Sequence, residues 1–429
     1  MYKLAASSNL KEKAKTKQNY SNQNQNNRWN TGQNKPARKQ KKGSYIYYAA
    51  LLIVLIVVCV ALLVKDSFFK SDELKLVGFS FKENEKFGFM DINGNIIIPA
   101  KYDLRIYQFS QKLAVISLDD KFGYIDKEGE EKIASEYESA KLFSEGLAAV
   151  SSGESDNSFG YINTKGEFVI SPQFQDALTF KENLAAVKID GLWGFIDKKG
   201  NIKITPKYET ASSFSNGYAA VEENQLWGVI DKKGTVVIEC SYEYISSNFE
   251  SEFITARKDG KFGYIDRKGN VVIPFEYDSA EDFTDKLAKV GKDDLYGYID
   301  KNNEFVIPLK YEDASVFSDG LAFVKDSSEL YSIINTKGEV IANAQFSDYR
   351  IYYKGAARVS VNGKWGIIDK KGKYVINPQY DSISRLSQNR VIVRLGNKAG
   401  VIDKENNIII DIKYENNSTF IDGLSFVYE

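Results

Sequence analysis

The sequence predicts an all-β chain. Tandem units of about 34 residues, each a three-stranded antiparallel β-meander, form a propeller-like or curved β array, preceded by one transmembrane helix and a disordered tail. Three observations predict it. An aromatic-Gly-x-Ile-Asp stretch recurs, its glycine at Gly88, Gly123, Gly160, Gly194, Gly228, Gly263, Gly297, Gly366 and Gly400, with Ser332 in the same slot. Between these marks the residues alternate with the period of a strand. Ahead of them lies one run, Ile46 to Val64, of nineteen residues without a charge.

The chain has 429 residues and a formal charge of −1, which hides a split. Residues 1–43 carry eleven Lys or Arg against the single acid Glu12, leaving 46 basic against 57 acidic residues in the remainder. Such a difference places the two regions in different surroundings. Residues 1–44 read as a disordered basic cytoplasmic tail, because the Gln/Asn run from Gln18 to Asn27 offers little to bury.

Residues 45–64 read as the membrane span. Nineteen residues at about 1.5 Å each make a helix of roughly 28 Å, close to the hydrocarbon thickness. Tyr45, Tyr47 and Tyr48 sit where interfacial aromatics belong. A cleaved signal peptide fits less well, since the apolar run is long and Leu62-Leu63-Val64-Lys65 holds no small-residue pair. A lipoprotein signal would use Cys59, but Val58 before it is bulky. By the positive-inside rule the lysine-rich side stays in the cytoplasm and the C-terminal part is extracytoplasmic. Residues 65–75 form a short linker and 76–429 the repeat domain.

Within a unit, Phe262, Tyr264 and Asp266 alternate with Gly263 and Ile265, the pattern of a strand. Asp266-Arg267-Lys268-Gly269 is a turn in which aspartate accepts from following amides and glycine supplies positive φ. Val271–Ile273 is the return strand, which Pro274 is expected to end. Leu287–Val290 is the third strand. A link of about ten residues follows each return strand, too short for a helix. Its aromatics, such as Tyr208 and Phe214 with Ala211, are expected to plug the gap between sheets. Ten blades exceed the usual four to eight, so one ring, two smaller rings and an open superhelix all stand. The closing segment Gly423–Tyr428 could pair with the first unit or cap the end.

The aromatic-Gly-x-Ile-Asp-x-x-Gly units ending in Ile-x-Pro-x-Tyr resemble the WG repeat (KWG repeat) family of bacterial proteins, over roughly residues 76–429. The resemblance implies an all-β repeat module, often extracytoplasmic and membrane-anchored, with no established catalytic activity. Tyr331-Ser332, Ala399 in the aromatic slot and Cys240 in the proline slot depart from the pattern, and those copies are expected to pack less regularly.

No catalytic residue, metal ligand or cofactor is assigned, and the chain is not expected to be an enzyme. Histidine is absent, which excludes His-based triads, His metal ligands and an imidazole switch. The recurrent acids (Asp91, Asp126, Asp197, Asp231, Asp266, Asp300, Asp369 and Asp403, with Asn163 and Asn335 in the same slot) belong to turns, since asparagine serves equally well. Asp91-Ile92-Asn93-Gly94-Asn95 starts like a calcium loop but lacks the completing glutamate. Trp193, Trp227 and Trp365 exchange with Phe and Tyr, as core rings do. The acidic domain is not expected to bind nucleic acid. Function is sought where the pattern breaks, at Ser347–Lys354. There Tyr349, Arg350, Tyr352 and Tyr353 are the ligand-binding candidates, being residue types favoured at binding hot spots. A related run, Asp103–Tyr107, lies in the first unit, and Ser151 to Ser158 is a polar loop insertion.

The expected role is a non-catalytic, membrane-anchored extracytoplasmic module that binds a cell-wall glycan, an envelope protein or another surface ligand. A structural spacer or scaffold in an envelope complex is the alternative, and a carboxylate-dependent glycosidase a further one. The basic tail is expected to lie on anionic lipid.

Overall fold

In a computed structural model of the chain, the structure describes residues 78–91, 93–104, 109–153, 158–387, 389–415 and 419–421. The chain divides into residues 1–72, none of them described, and a second, compact unit, residues 73–429. The expected tail, the span at 45–64 and the linker lie outside the described residues. Among the described residues, no helix is long and apolar enough to cross a membrane.

The second unit is a ten-bladed β-propeller of ten four-stranded antiparallel sheets. Blade 4 shows the plan: a link strand Asp176–Ala177, a Leu-Ala strand Ala185–Ile189, the aromatic-Gly strand Leu192–Ile196 and a return strand Ile202–Tyr208. The expected three-stranded meander is therefore corrected. The link supplies a fourth strand, usually of two residues, by continuing from the preceding return strand. Thr210–Ala211 opens blade 5 one residue after Tyr208 ends blade 4.

The turn between aromatic-Gly and return strands repeats in every unit. Asp197 Oδ1 accepts from the amides of Lys199 and Asn201 at 2.9 and 3.0 Å, and Gly200 takes φ +83°. Asn163 and Asn335 make the same pair of bonds. At the calcium-loop lookalike, Asp91 Oδ1 accepts from Asn93 and Asn95 in the same turn. No three-residue group of Cys, Asp and Glu among the described residues is placed to hold a metal ion.

The aromatic-Gly glycine answers to a close approach. The return strand shifts register twice against its partner, pairing Tyr208 with Trp193, Ile204 with Phe195 and Ile202 with Ile196. Its backbone bulges over Gly194, where a Cβ would lie 2.5 Å from the Ile204 carbonyl oxygen. Pro206 sits in that bulge. The expectation that proline ends the return strand is overturned, because Val271–Tyr277 runs through Pro274 and Tyr277 still pairs with Phe262. An edge strand at a bulge has no ladder bond for proline to lose.

Each core lies between blades. Tyr208, Phe195 and Ile204 of blade 4 pack with Ala211, Phe214, Val221 and Ile230 of blade 5. The link aromatics do plug this gap: Phe214 meets Phe195 at 4.8 Å between ring centroids, and Phe180 meets Tyr161 at the same distance. Tyr161 also donates to the Leu178 carbonyl of the next blade's link at 2.7 Å. No blade buries its face alone, so the domain folds as a whole.

The ring closes because a strand that follows blade 10 joins the sheet of blade 1. Return strand Ile408–Glu415 leads to Thr419–Ile421, which pairs with Gly78–Glu83 and completes blade 1. Phe81 and Met90 of blade 1 share a core with Ile392, Val401 and Ile410 of blade 10, and Phe81 stands edge-on to Tyr414 at 5.5 Å. The closing strand is thus link-type. The segment Gly423–Tyr428, considered for this role, lies outside the described residues.

The departures differ in their consequences. Ser332 keeps the usual register, with Tyr331 on Phe346 and Ile333 on Ala342. Ala399 is fully buried. Beside Cys240, by contrast, a cavity of about 200 Å³ opens between blades 4 and 5, lined by Tyr208, Val221, Glu223 and Asn224 among others.

Candidate functional site

The link of blade 9 departs furthest from the plan. Three other links hold a serine that folds back on the backbone, among them Ser212, whose Oγ accepts from the Ala220 amide at 2.9 Å, and Ser315, whose Oγ accepts from Phe323 at 2.9 Å. Blade 9 has Arg350, Ile351 and Tyr352 instead. With aromatic and β-branched residues along it, the link extends. It forms a six-residue edge strand, Asp348–Tyr353, against Ala356–Val361.

Alternation then divides the four candidate residues. Tyr352 points inward and is 1% exposed, taking the plug position of Phe214. Its hydroxyl donates to the Asp369 carbonyl at 3.1 Å, and its own carbonyl accepts from Ser318 Oγ at 2.7 Å. Ser144 and Asn216 make the matching bond to the plugs Phe180 and Phe249. Tyr349 also turns inward, stacked on Phe323 at 4.4 Å and edge-on to Tyr331 at 4.7 Å. Desolvation pushes both hydroxyls above the usual tyrosine range. The structure does not bring these two together with the others at one surface.

Arg350 and Tyr353 do reach the surface. The Arg350 guanidinium covers the Trp365 ring at 5.1 Å, donates to the Tyr349 carbonyl at 2.8 Å and lies 3.3 Å from Asp348. Tyr353 lies between two cations, Arg385 at 5.0 Å and Lys354 at 5.2 Å from its ring centre. Arg358 pairs with Arg350 across the two strands and donates to the Ile383 carbonyl at 3.3 Å. Ile351, Tyr353, Arg358 and Arg385 line a cleft of only about 10 Å³.

Sequence reasoning missed Arg358 and Arg385, which lie outside the Ser347–Lys354 run. Their signal was the clustering of arginines after residue 350. It also placed Trp193, Trp227 and Trp365 in the core, and that is corrected. All three are half-buried, and the fully buried rings are those one residue beyond the glycine, such as Phe195 and Tyr161. In this slot Phe159, Phe262 and Tyr296 also carry a cation over the ring, from Lys141, Arg257 and Lys289.

Two other features are weaker. The related run in the first unit falls largely at residues 105–108, outside the described residues, as do 154–157 of the Ser151 to Ser158 insertion. The cavity beside Cys240 holds a buried Tyr208 hydroxyl with no hydrogen-bond partner among the described residues. Burial pushes the Cys240 thiol up, so it is a poor nucleophile near neutral pH.

Comparisons with known proteins address the fold and the family. No curated protein matches the chain. Among solved structures, a eukaryotic initiation factor is similar at 12% identity and TM-score 0.45, over 81% of this chain and 98% of that one. BamB from Moraxella catarrhalis is similar at 12% identity and TM-score 0.32, over 66% and 88%. Hsv2p from Kluyveromyces lactis is similar at 11% identity and TM-score 0.32, over 52% and 89%. Likeness at this level says nothing of what this chain binds. The family described as WG containing repeat matches ten segments: 87–122, 122–154, 159–193, 193–227, 227–262, 262–296, 296–327, 331–365, 365–398 and 400–429. The chain belongs to the WG containing repeat family.

Proposed function

We propose that this protein is a single-pass membrane protein that displays its propeller outside the cytoplasm as a non-catalytic binding module. The observation that carries the binding reading is the edge strand Asp348–Tyr353. In this blade alone among the described links the link strand runs to six residues, and it presents a surface of Arg350 and Tyr353, joined by Arg385 from the next blade. Propellers are binding scaffolds in which the blades hold the shape and the exposed segments choose the ligand. The recurrent acids support a non-catalytic role, because each carboxylate or amide oxygen is taken up by its own turn. The uncharged run at 46–64 and the eleven basic residues ahead of it support the anchor and its orientation.

Protease treatment of intact cells and of lysed cells tests the topology. Loss of the repeat domain from intact cells, with the tail surviving until lysis, is the expected result; protection of the repeats in intact cells would sink it. Pull-down on isolated envelope material with the full chain then tests the surface. Arg350→Gln with Tyr353→Ser should lower retention at least about tenfold if this edge contributes a hot spot. Undiminished retention removes it from consideration.

A further inference from the structure

The charge of the repeat domain is segregated around the ring. Residues 109–346, blades 2 to 8, carry 26 basic against 41 acidic residues, a net −15. Residues 347–415, blades 9 and 10, carry 13 basic against 7 acidic residues, a net +6. The sum conceals this basic sector in an acidic domain. Its composition is distinctive too: Arg350, Arg358, Arg385, Arg390 and Arg394 are five of the eight arginines after residue 76. The eight lysines of the sector, among them Lys354, Lys364, Lys370, Lys371 and Lys373, are all exposed.

Local geometry favours an anion over other ligands. Arg350 and Arg358 pair directly across two strands, with the Asp348 carboxylate 3.3 Å from Arg350, so an anion that reaches this row meets two arginines. Lys354 and Arg385 flank Tyr353 and have no carboxylate partner within ion-pair distance among the described residues. The faces of Trp365 and Tyr353 are covered by these cations, so neither of these two rings is open to a sugar or a nucleobase. The cleft is too small to hold even a small molecule. A compact ligand would leave most of the thirteen cations unused, whereas a linear polyanion can run across both blades and avoid the acidic remainder. Arginine's planar fork suits phosphate oxygens in particular.

We propose that blades 9 and 10 are the docking sector for an extended, phosphate-bearing polymer, with Arg350, Arg358 and Arg385 as its centre and the exposed lysines as its flanks. This rests on the reading of the propeller as a binding module but not on the side of the membrane it occupies.

Hydrogen exchange on the full chain in detergent, with and without long-chain inorganic polyphosphate, tests it. The basic tail will also meet polyphosphate, so the readout is local. Protection of amides in 348–358 and 390–395 is expected, and it should be lost in Arg350→Gln/Arg358→Gln/Arg385→Gln. Should that triple variant fail to fold, Lys370→Gln/Lys371→Gln/Lys373→Gln, changes confined to exposed side chains, should weaken the same protection about tenfold. Lys232→Gln/Lys310→Gln in the acidic blades should leave it unchanged. Because phosphate contact releases counterions, raising salt should erase the protection. Protection confined to residues 1–43 overturns the proposal, as does protection that survives both sets of variants. Equal protection by a polyuronate would make the sector a general polyanion site and overturn the phosphate choice. Protection by anionic phospholipid vesicles without any by polyphosphate would assign the sector to a membrane surface instead.

Discussion

The link of blade 5, Thr210–Gly217, and that of blade 9, Asp348–Gly355, occupy the same position and share almost no sequence. Both insert a ring between blades, Phe214 against Phe195 and Tyr352 against Phe323. Both end in a glycine at positive φ, Gly217 and Gly355. What differs lies between these fixed points. Serines curl blade 5's link back on itself, and extended residues carry blade 9's along the sheet edge. The repeat thus separates two tasks along one segment. Plug and turn hold the ring together, and the residues between them are free to make a surface.

If that separation is right, removing the plug should damage both links alike. Phe214→Ala and Tyr352→Ala each delete a fully packed ring from an inter-blade core. Each should cost about 3–5 kcal/mol, the usual range for large-to-small changes in a core. Denaturant unfolding of the two variants measures it. A Tyr352→Ala cost below about 1 kcal/mol would show that the blade 9 link has abandoned the structural task, and the comparison would fail.

The glycine slot sharpens the same contrast one strand away. A Cβ at Gly194 would fall 2.5 Å from the Ile204 carbonyl oxygen and 2.6 Å from the Pro206 nitrogen, both backbone atoms that cannot swing aside. Gly194→Ala should therefore cost about 1–3 kcal/mol, as overpacking does. In the blade just before the divergent link, Ser332 already occupies this slot, opposite a return strand that has Ala342 and no proline. Ser332→Gly should change stability by less than about 1 kcal/mol. Thermal melts of the two variants would give the same shift if the close approach were irrelevant.

Much of this was legible in the residues themselves. The period announced the repeat, alternation the strands, Asp-x-x-Gly the turns, and the link aromatics the plugs. The fourth strand was not legible, because two residues such as Thr210–Ala211 carry no periodicity. It arises only when one return strand runs on into its neighbour's sheet. Ring closure depends on the pairing of Thr419–Ile421 with blade 1, which the sequence leaves open beside two smaller rings and an open superhelix. The half-buried state of Trp365 is not legible because exchange among aromatic types also fits a ring that packs on one face and carries a cation, here Arg350, on the other. At the candidate site the run Tyr349–Tyr353 was visible as an irregularity. Strand alternation, invisible while the link was taken as irregular, turns Tyr349 and Tyr352 inward. The basic sector does not show in the net charge of the whole domain, because the acidic blades outweigh it.

The smallest effect should come from the turns, which the two regions share. Asp231 in blade 5 and Asp369 in blade 9 each accept from the amides two and four residues on, at 2.8 to 2.9 Å. Asn163 and Asn335 do the same without a charge. Asp231→Asn and Asp369→Asn should each cost less than about 1 kcal/mol near neutral pH, because the accepting oxygen remains. Acid should tell carboxylates from amides. The Asn201 side-chain amide, then the turn's own amides and Lys203, hold Asp197 below the usual carboxylate range. A depressed native pKa stabilises above the unfolded value, near pH 4, and that contribution disappears as pH falls through the native one. With no histidine in the chain, stability should stay nearly flat from about pH 8 to 5 and decline below about pH 4. Asp197→Asn should flatten the acid limb slightly while leaving the plateau in place. A variant that lowers the plateau by more than about 2 kcal/mol would mean the charge itself holds the turn, and asparagine's presence at two of the ten positions would then need another cause.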